Sequence, residues 1–362
     1  MRFKLLVDSD EFWKALQQDI CSAQNKIYVQ TLSFEGDVAG KKLADLLISL
    51  NSPQEIKIIV DSYTRYVLND RFLYTPKNLM DNTLREERRE THRMIGQLRG
   101  KGIEVKFVQF PGFMLRKMAT RDHKKIIVVD DKIAYIGGIN FSEHNFHWHD
   151  CMLRIEDENI ARFLSEDFQL TWEDVNYFRT ISDEEIELFS FDGRTNPENF
   201  QIILDLIGNS EKEIWVHSPY LSFPFLDKLA ESRRRGVTIH IISPEDNNRK
   251  FLKEYITWES QRHEFNLWLY SPKMSHLKAM LIDDKYLLLG STNFDYLSYK
   301  VHPELLAVIK NRNVIQEFNE RVLKVDLKNS IPGNHSVSNI KGKLLRWQMH
   351  AFGKITTTLG RL

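Results

Sequence analysis

The sequence predicts an α/β protein of two similar halves, each a mixed, mainly parallel sheet flanked by helices. Three observations predict it. Strand-like and helix-like stretches alternate along the chain, and five residues recur at one fixed spacing. The chain of 362 residues is also long enough for about two domains, each able to bury its own core.

Each element follows from its local pattern. After a helical stretch at residues 9–24, AQNKIYVQTLSF reads as a first strand; after 197–210, SEKEIWVHSPYL reads as its counterpart. EIKIIVDS and GVTIHIISP read as second strands, GIEVKFVQFP and FNLWLYSP as third strands. Helical segments lie between them at 38–50, 78–100, 223–235 and 248–264. The halves run from about 1 to 180 and from 195 to 325, joined by the polar connector ISDEEIELFSFDGRTNPEN, and a basic amphipathic tail occupies 326–362. The first half carries an insertion at 62–100 with the charged run REERRETHR. That run reads as a solvated helix face, with a substrate lid as the other reading.

Composition narrows the function. Lys plus Arg equals Asp plus Glu at 50 each, so the whole chain carries no electrostatic signature of a nucleic-acid binder, although a local basic patch is compatible with it. Cys21 and Cys151 lie far apart and in no metal-like spacing, which argues against a disulfide scaffold or structural zinc and suits a reducing cytosol. The apolar part of MRFKLLVDSDEFW is too short for a signal peptide. No run approaches the roughly 18 apolar residues of a spanning helix.

The recurring residues are His123, Lys125, Asp130, Gly137 and Asn140, which return as His276, Lys278, Asp283, Gly290 and Asn293, each pair 153 positions apart. In DHKKIIVVDD and SHLKAMLIDD the histidine and lysine share one face of a strand, while the aspartate has the opposite parity and lies about 23 Å away along it. DDK then reads as a turn, and IAYIGGIN or YLLLGSTN as the antiparallel return. Gly137 and Gly138 come back beside His123, and Gly290 and Ser291 beside His276. The aspartates read as structural, and the histidine end as the site. Lysine, an asparagine amide and a backbone opened by glycine suit a phosphate. A histidine can attack phosphorus or donate a proton near neutral pH. Two such half-sites facing each other would act on one phosphorus, with Asp150 and Glu304 as carboxylates to orient the rings. A single copy of so short a pattern would read as an exposed strand cap; two copies in register do not.

H-x-K-x4-D followed by G-G/S-x-N, present twice, resembles the phospholipase D superfamily, and the resemblance covers nearly the whole chain to about residue 325. It implies a pseudo-twofold packing of two α/β halves with their motifs facing, and no metal or other cofactor. It further implies a phosphohistidine intermediate, with His123 as nucleophile, His276 as acid, and Lys125, Lys278, Asn140 and Asn293 on the phosphate. Asp130 and Asp283 complete the motif, and Gly138 and Ser291 stand at its phosphate-facing return. RDHKKIIVVDDKIAYIGGIN, WHDCMLRIEDENI, FEGDVAG, SPYL and GSTNFD resemble the bacterial cardiolipin synthase branch. Leu297 and His302 stand where that branch commonly has Arg and Asn, with Glu304 kept, and its long forms carry N-terminal membrane helices that this sequence does not show. The lipid headgroup is thereby left open.

The expected function is a phosphatidyltransferase or phospholipase D, acting on a phosphatidylglycerol-like lipid with an alcohol or water as acceptor. The expected place is the cytoplasm, peripheral on the inner face of the cell membrane. A nuclease of the same motif is the alternative, and would be expected to show a basic or aromatic groove; nucleic acid is not the expected partner. An inactive interaction module fits poorly with two complete motifs. EHNFHWHD, with His144, His147 and His149, matches no common zinc spacing and reads as a loop rimming the phosphate pocket, with Trp148 in the core or the pocket wall. In the tail, Ile340, Leu344, Trp347, Ala351 and Ile355 share a helical face, and Lys341, Lys343, Arg346, Lys354 and Arg361 make it basic. It reads either as a membrane-interface helix or as an ordinary packed helix, and Gly342, Gly353 and three successive threonines count against any helix there.

Overall fold

Ile126–Val129 is buried at every position, as a central strand must be when both faces of its sheet are covered. In the computed structural model, which describes residues 1–51, 55–110, 119–333 and 336–361 with side chains to 358, this strand is the middle of seven. The third-strand reading that ended at Pro111 and the tail reading that ended at Leu362 run onto residues outside that description, as does the side chain of Arg361.

The first sheet contains β1 (Arg2–Val7), β2 (Lys26–Thr31), β3 (Glu55–Asp61), β4 (Glu104–Val108), β5 (Ile126–Val129), β6 (Ile133–Gly137) and β7 (Cys151–Glu156), in the order β1-β7-β6-β5-β2-β3-β4. Helices α1 (Asp8–Ser22), α2 (Val38–Ser49), α3 (Asn82–Gly100) and α4 (Glu158–Trp172) accompany it. The charged run lies on α3, which buries Leu84, Met94, Ile95 and Leu98 and leaves most of its arginines and glutamates in water. Asp81 caps this helix by accepting from the amides of Thr83 and Leu84.

The second sheet contains β8 (Arg179–Ser182), β9 (Ile186–Asp192), β10 (Glu213–His217), β11 (Thr238–Pro244), β12 (Asn266–Tyr270), β13 (Ala279–Ile282), β14 (Tyr286–Gly290), β15 (Pro303–Ile309) and β16 (Ser330–Pro332), in the order β8-β9-β15-β14-β13-β10-β11-β12-β16. Its helices include α5 (Gln201–Gly208), α6 (Phe225–Arg234), α7 (Lys250–His263), α8 (Arg312–Phe318), α9 (Lys324–Lys328) and α10 (Asn339–Arg361).

The two sheets share one topology, since β7-β6-β5-β2-β3-β4 and β15-β14-β13-β10-β11-β12 run in the same order. Both are mixed. The parallel part is β2-β3-β4 in one and β10-β11-β12 in the other, and the remaining neighbours pair antiparallel. The balance therefore leans further toward antiparallel than the alternation of strands and helices suggests. The physical reason is that each motif strand returns through a tight turn instead of a helix.

Two compact units result. One comprises Met1–His147 with Cys151–Asn176, the other Trp148–Asp150 with Tyr177–Leu362. Each has its own apolar cluster, the first built around Phe12, Val29, Ile58 and Ile127, the second around Phe225, Val216, Ile241 and Met280. The three residues Trp148–Asp150 leave the first unit and join the second, where His149 bridges to Ser275. No local pattern in the sequence announces that exchange.

Candidate active site

The aspartates of the motif stand at its turn. Asp130 and Asp131, and likewise Asp283 and Asp284, adopt left-handed backbone with φ between 51° and 55°. The carboxylate of Asp130 accepts from the amides of Gln24 (2.8 Å), Asn25 (2.7 Å) and Lys26 (3.0 Å), and that of Asp283 from Glu211 (2.8 Å), Lys212 (2.8 Å) and Glu213 (3.0 Å). Burial raises each pKa, but the three amides outweigh it and hold both carboxyls below the ordinary range. Each aspartate ties the entry of β2 or β10 to the hairpin. All the hydrogen bonds described for these two carboxylates are accepted from backbone amides at the turn.

The hairpin register differs by two residues from a turn centred on the aspartate. Ile126 faces Ile136 and Ala279 faces Leu289, so Gly137 falls opposite Lys125 and Gly290 opposite Lys278. These glycines also have a packing reason. A Cβ on Gly137 would lie 2.3 Å from the carbonyl oxygen of Cys151, and one on Gly290 would lie 2.2 Å from that of Leu305. The amide of Gly138 donates to the Cys151 carbonyl at 3.2 Å and that of Ser291 to Leu305 at 2.9 Å. The Ser291 hydroxyl donates to Glu304 and accepts from the Leu305 amide at 2.9 Å. The amide of Gly138 and the amide and hydroxyl of Ser291, expected at the phosphate-facing return, are thus engaged with the neighbouring strand.

Lysine and histidine take the same arrangement in both units. The ammonium of Lys125 donates to the His123 carbonyl at 2.7 Å, and that of Lys278 to the His276 carbonyl. Both lysines are buried. An internal ammonium of this kind stays charged only with such oxygens around it.

In the second unit His276 is held from several sides. Its Nδ1 lies 2.8 Å from Oδ2 of Asp150, a carboxylate that is 2% exposed. Nζ of Lys278 is 2.7 Å from the same Nδ1 and 3.6 Å from Asp150. The His276 amide donates to the carbonyl of His149 at 2.7 Å, and the His149 amide to that of Met274 at 2.8 Å. The ring of Trp148 stands 5.0 Å from the imidazole and that of Tyr220 6.0 Å. With an ionised Asp150, the proton on Nδ1 is fixed toward the carboxylate, and Nε2 becomes the nitrogen that exchanges a proton. Asp150 thus serves the histidine of the second motif, although it follows the first in sequence.

Glu304 is fully buried, and it accepts from the hydroxyls of Ser298 (2.6 Å) and Ser291, with Nδ1 of His302 at 3.8 Å. Asn293 is buried, and its side-chain oxygen meets no donor among the described residues. Asn140, equally buried, accepts from Thr31 at 3.3 Å and donates to Asn145 at 3.2 Å.

Several charged residues around these motifs escaped the sequence reading. Asp122 is buried beside His123, accepts from Gln30 (2.8 Å) and from the Lys124 amide (3.0 Å), and is pushed up to about 6 by burial. Asp61, raised to about 7 by burial against the pull of Arg121 at 3.6 Å, accepts from the Asp122 amide at 2.6 Å. Lys124 spans to Asp167 at 2.8 Å. In the second unit Asp326 accepts from Nε2 of His149 at 3.1 Å, and Nε2 of His217 lies 3.1 Å from the same oxygen. Burial alone would raise the pKa of Asp326, but the two imidazoles bring it down to about 2. His149 accordingly belongs to this carboxylate, while His144 lies 4.0 Å from Glu35. The signal that was available is a charged residue inside or abutting an apolar strand, as in EIKIIVD and RDHKKIIVV.

The His–Lys motif thus stands twice, once on each of two mixed sheets of the same topology. The chain belongs to the family described as cardiolipin synthase, PLD-like domain, whose model matches residues 16–172 and 203–325. It is 25% identical over 331 residues to the probable cardiolipin synthase YwiE of Bacillus subtilis, covering 83% of this chain and 61% of that protein. Cardiolipin synthase B of Salmonella typhi is 24% identical over 354 residues, covering 89% and 79%. The chain spans 61% of the length of YwiE and 66% of that of cardiolipin synthase 1 of Bacillus anthracis and of Bacillus cereus. Among solved structures, phosphatidylserine synthase of Haemophilus influenzae has the same fold, with a TM-score of 0.73 at 16% identity over 99% of this chain and 95% of that one. A polyphosphate kinase of Porphyromonas gingivalis aligns with a TM-score of 0.61 at 12% identity, over 98% and 53%.

Proposed function

We propose that the chain is a phosphatidyltransferase, which breaks a phospholipid phosphodiester through a phosphohistidine and passes the phosphatidyl group to an alcohol or to water. The donor is a phosphatidylglycerol-like lipid, and the protein works as a peripheral protein on the inner face of the cell membrane. Among the described residues no helix is long and apolar enough to cross a membrane. The observation that carries the reading is the imidazole of His276, held through Nδ1 by the buried Asp150 at 2.8 Å. A histidine so held exchanges protons through its other nitrogen, and does not merely cap a strand. Family membership directs that chemistry to phospholipids.

In the first step Nε2 of His123 attacks phosphorus, the bond to the leaving alkoxide oxygen breaks, and His276 gives that oxygen its proton. In the second, the acceptor oxygen attacks phosphorus, the phosphorus–nitrogen bond breaks, and the acceptor's proton goes to His276. Lys125, Lys278, Asn140 and Asn293 serve the charge of the non-bridging oxygens, and Glu304 supports the second motif through Ser291 and Ser298. The test is to incubate the purified protein with phosphatidylglycerol vesicles and to resolve the lipids. Cardiolipin or another phosphatidyl-transfer product is expected, together with phosphatidic acid. Efficient cleavage of single-stranded DNA or RNA with no lipid product would replace this reading by the nuclease.

A further inference from the structure

We infer that the outward face of α10 seats this protein on an anionic phospholipid bilayer. The inference rests on the phospholipid reading above and supplies what that reading lacks, a surface by which the chain reaches its substrate.

The helix is anchored along one side. Leu345 is buried in the second unit's core, and Arg346 pairs with Glu259 at 2.9 Å and Asp227 at 2.8 Å. Trp258 donates to Asn339 at 3.2 Å, and the ring of His350 stacks on Phe223 at 3.9 Å. The two glycines that weaken the helix on propensity point inward. A Cβ on Gly342 would lie 2.1 Å from the ring of Trp258, and one on Gly353 would lie 2.6 Å from that of Tyr296. They let the helix axis approach two aromatic rings, so the helix is docked and its orientation is set.

That orientation turns the apolar stripe outward. Ile340 is 85% exposed, Leu344 51%, Trp347 67% and Ile355 59%. At about 100° per residue these side chains fall within an arc of roughly 80°. Phe352, 52% exposed, extends the stripe on one flank. An ordinary packed helix buries its apolar arc, and this one buries the opposite side.

Charge selects the occupant. Residues 339–361 contain no aspartate or glutamate. Lys343 and Lys354 are exposed, and by helical spacing both lie on the flank of the stripe away from Phe352. Ammonium groups at one edge of an apolar face, with a tryptophan in its middle, suit a helix lying in a bilayer interface, its rings and aliphatic chains among the acyl tails and its lysines at anionic phosphates. A second copy of the chain, set antiparallel on the same face by a twofold axis perpendicular to the helix, would bring the like-charged flanks together.

The test uses the full chain and vesicles of phosphatidylglycerol with phosphatidylcholine. Leu344→Glu with Trp347→Glu changes two exposed side chains and should weaken sedimentation with vesicles by about a hundredfold, at roughly tenfold per anchoring side chain. Lys343→Glu with Lys354→Glu should reduce binding only to the anionic vesicles. Turnover on vesicles should fall with binding, while turnover of a dissolved short-chain phosphatidyl substrate stays unchanged. In the wild type, lipids brominated near the headgroup should quench a share of the emission that Trp347→Phe lacks. Unaltered vesicle binding in both double variants overturns the inference while leaving the phosphatidyltransferase standing. So does a wild-type dimer that the Glu variants turn into a monomer. Absence of turnover on the short-chain substrate in the wild type tells instead against the function.

Discussion

Oδ2 of Asp150 lies 2.8 Å from Nδ1 of His276, a residue 126 positions further along the chain. The carboxylate reaches it because Trp148–Asp150 belongs to the second unit, with the His149 carbonyl accepting from the His276 amide. In the proposed reaction this contact would make Asp150 a positioning residue. Asp150→Asn keeps the volume but offers Nδ1 an amide, which no longer fixes the proton on that nitrogen. Turnover of a soluble phosphodiester is expected to fall by about 10²–10⁴-fold, with little change in KM. A variant with unchanged turnover and an unchanged melting temperature would show that the carboxylate only fills space.

Asp130 and Asp283 should behave oppositely. Replacing either by Ala strands three backbone amides at the start of β2 or β10, with an expected loss of about 1–3 kcal/mol in urea unfolding at pH 7. Activity per folded molecule should be retained. Their folded pKa values lie below the unfolded one, so the stability they add is present above the ordinary carboxylate pKa and is lost as pH falls below it. The gap between wild type and variant, followed by chemical unfolding at pH 7 and then below pH 4, should close. A persistent gap would mean the loss is not electrostatic.

Asp326 gives a sharper pH dependence. Its pKa, about 2 in the folded chain against roughly 3.9 unfolded, corresponds to about 2 kcal/mol of stability at neutral pH. The sign follows from the depressed value. The contribution is complete above the unfolded pKa and disappears as pH drops from about 4 to 2. Asp326→Asn should unfold more readily at pH 7 and match the wild type near pH 2, in parallel denaturant titrations. Equal stability at pH 7 would show that His149 and His217 find water as good a partner.

Gly137→Ala and Gly290→Ala should both destabilise, by about 2–4 kcal/mol, because the new methyl meets a backbone carbonyl that its strand partners hold in place. Thermal unfolding of the two variants measures this. Unchanged melting temperatures with lowered activity would instead restore a phosphate-facing role for these glycines.

Much of this architecture was legible because it is written twice. A five-residue pattern repeated in register identifies both motif strands, and the period-two and helical patterns around it place the helices to within a few residues. The direction of most strand pairs was less visible, since a tight turn after DDK makes a neighbour antiparallel whatever the helices nearby suggest. The partner of Asp150 was hidden for a different reason. A three-residue segment that changes units has no periodicity of its own, and the carboxylate's distance from the first motif in sequence points to the wrong ring. Gly342 and Gly353 were misread by propensity, which weighs a glycine's backbone freedom but knows nothing of the rings of Trp258 and Tyr296 packed against it.

The two histidines should be separable by leaving group. An attacking nitrogen is needed whatever leaves, so His123→Ala should abolish turnover of natural lipid and activated substrate alike. An acid is needed only where the departing oxygen is too basic to leave as an anion. A glycerol alkoxide is such a group, and a nitrophenolate is not. His276→Ala should therefore lose about 10²–10⁴-fold on phosphatidylglycerol and far less on a nitrophenyl phosphodiester in single-turnover measurements. In that variant the phosphoenzyme should accumulate, because deprotonation of the incoming water or alcohol is also lost, and trapping the protein in alkali should show an acid-labile phosphate on His123. Equal losses on both substrates would remove the acid role from His276, and a phosphate found on His276 in His123→Ala would reverse the assignment.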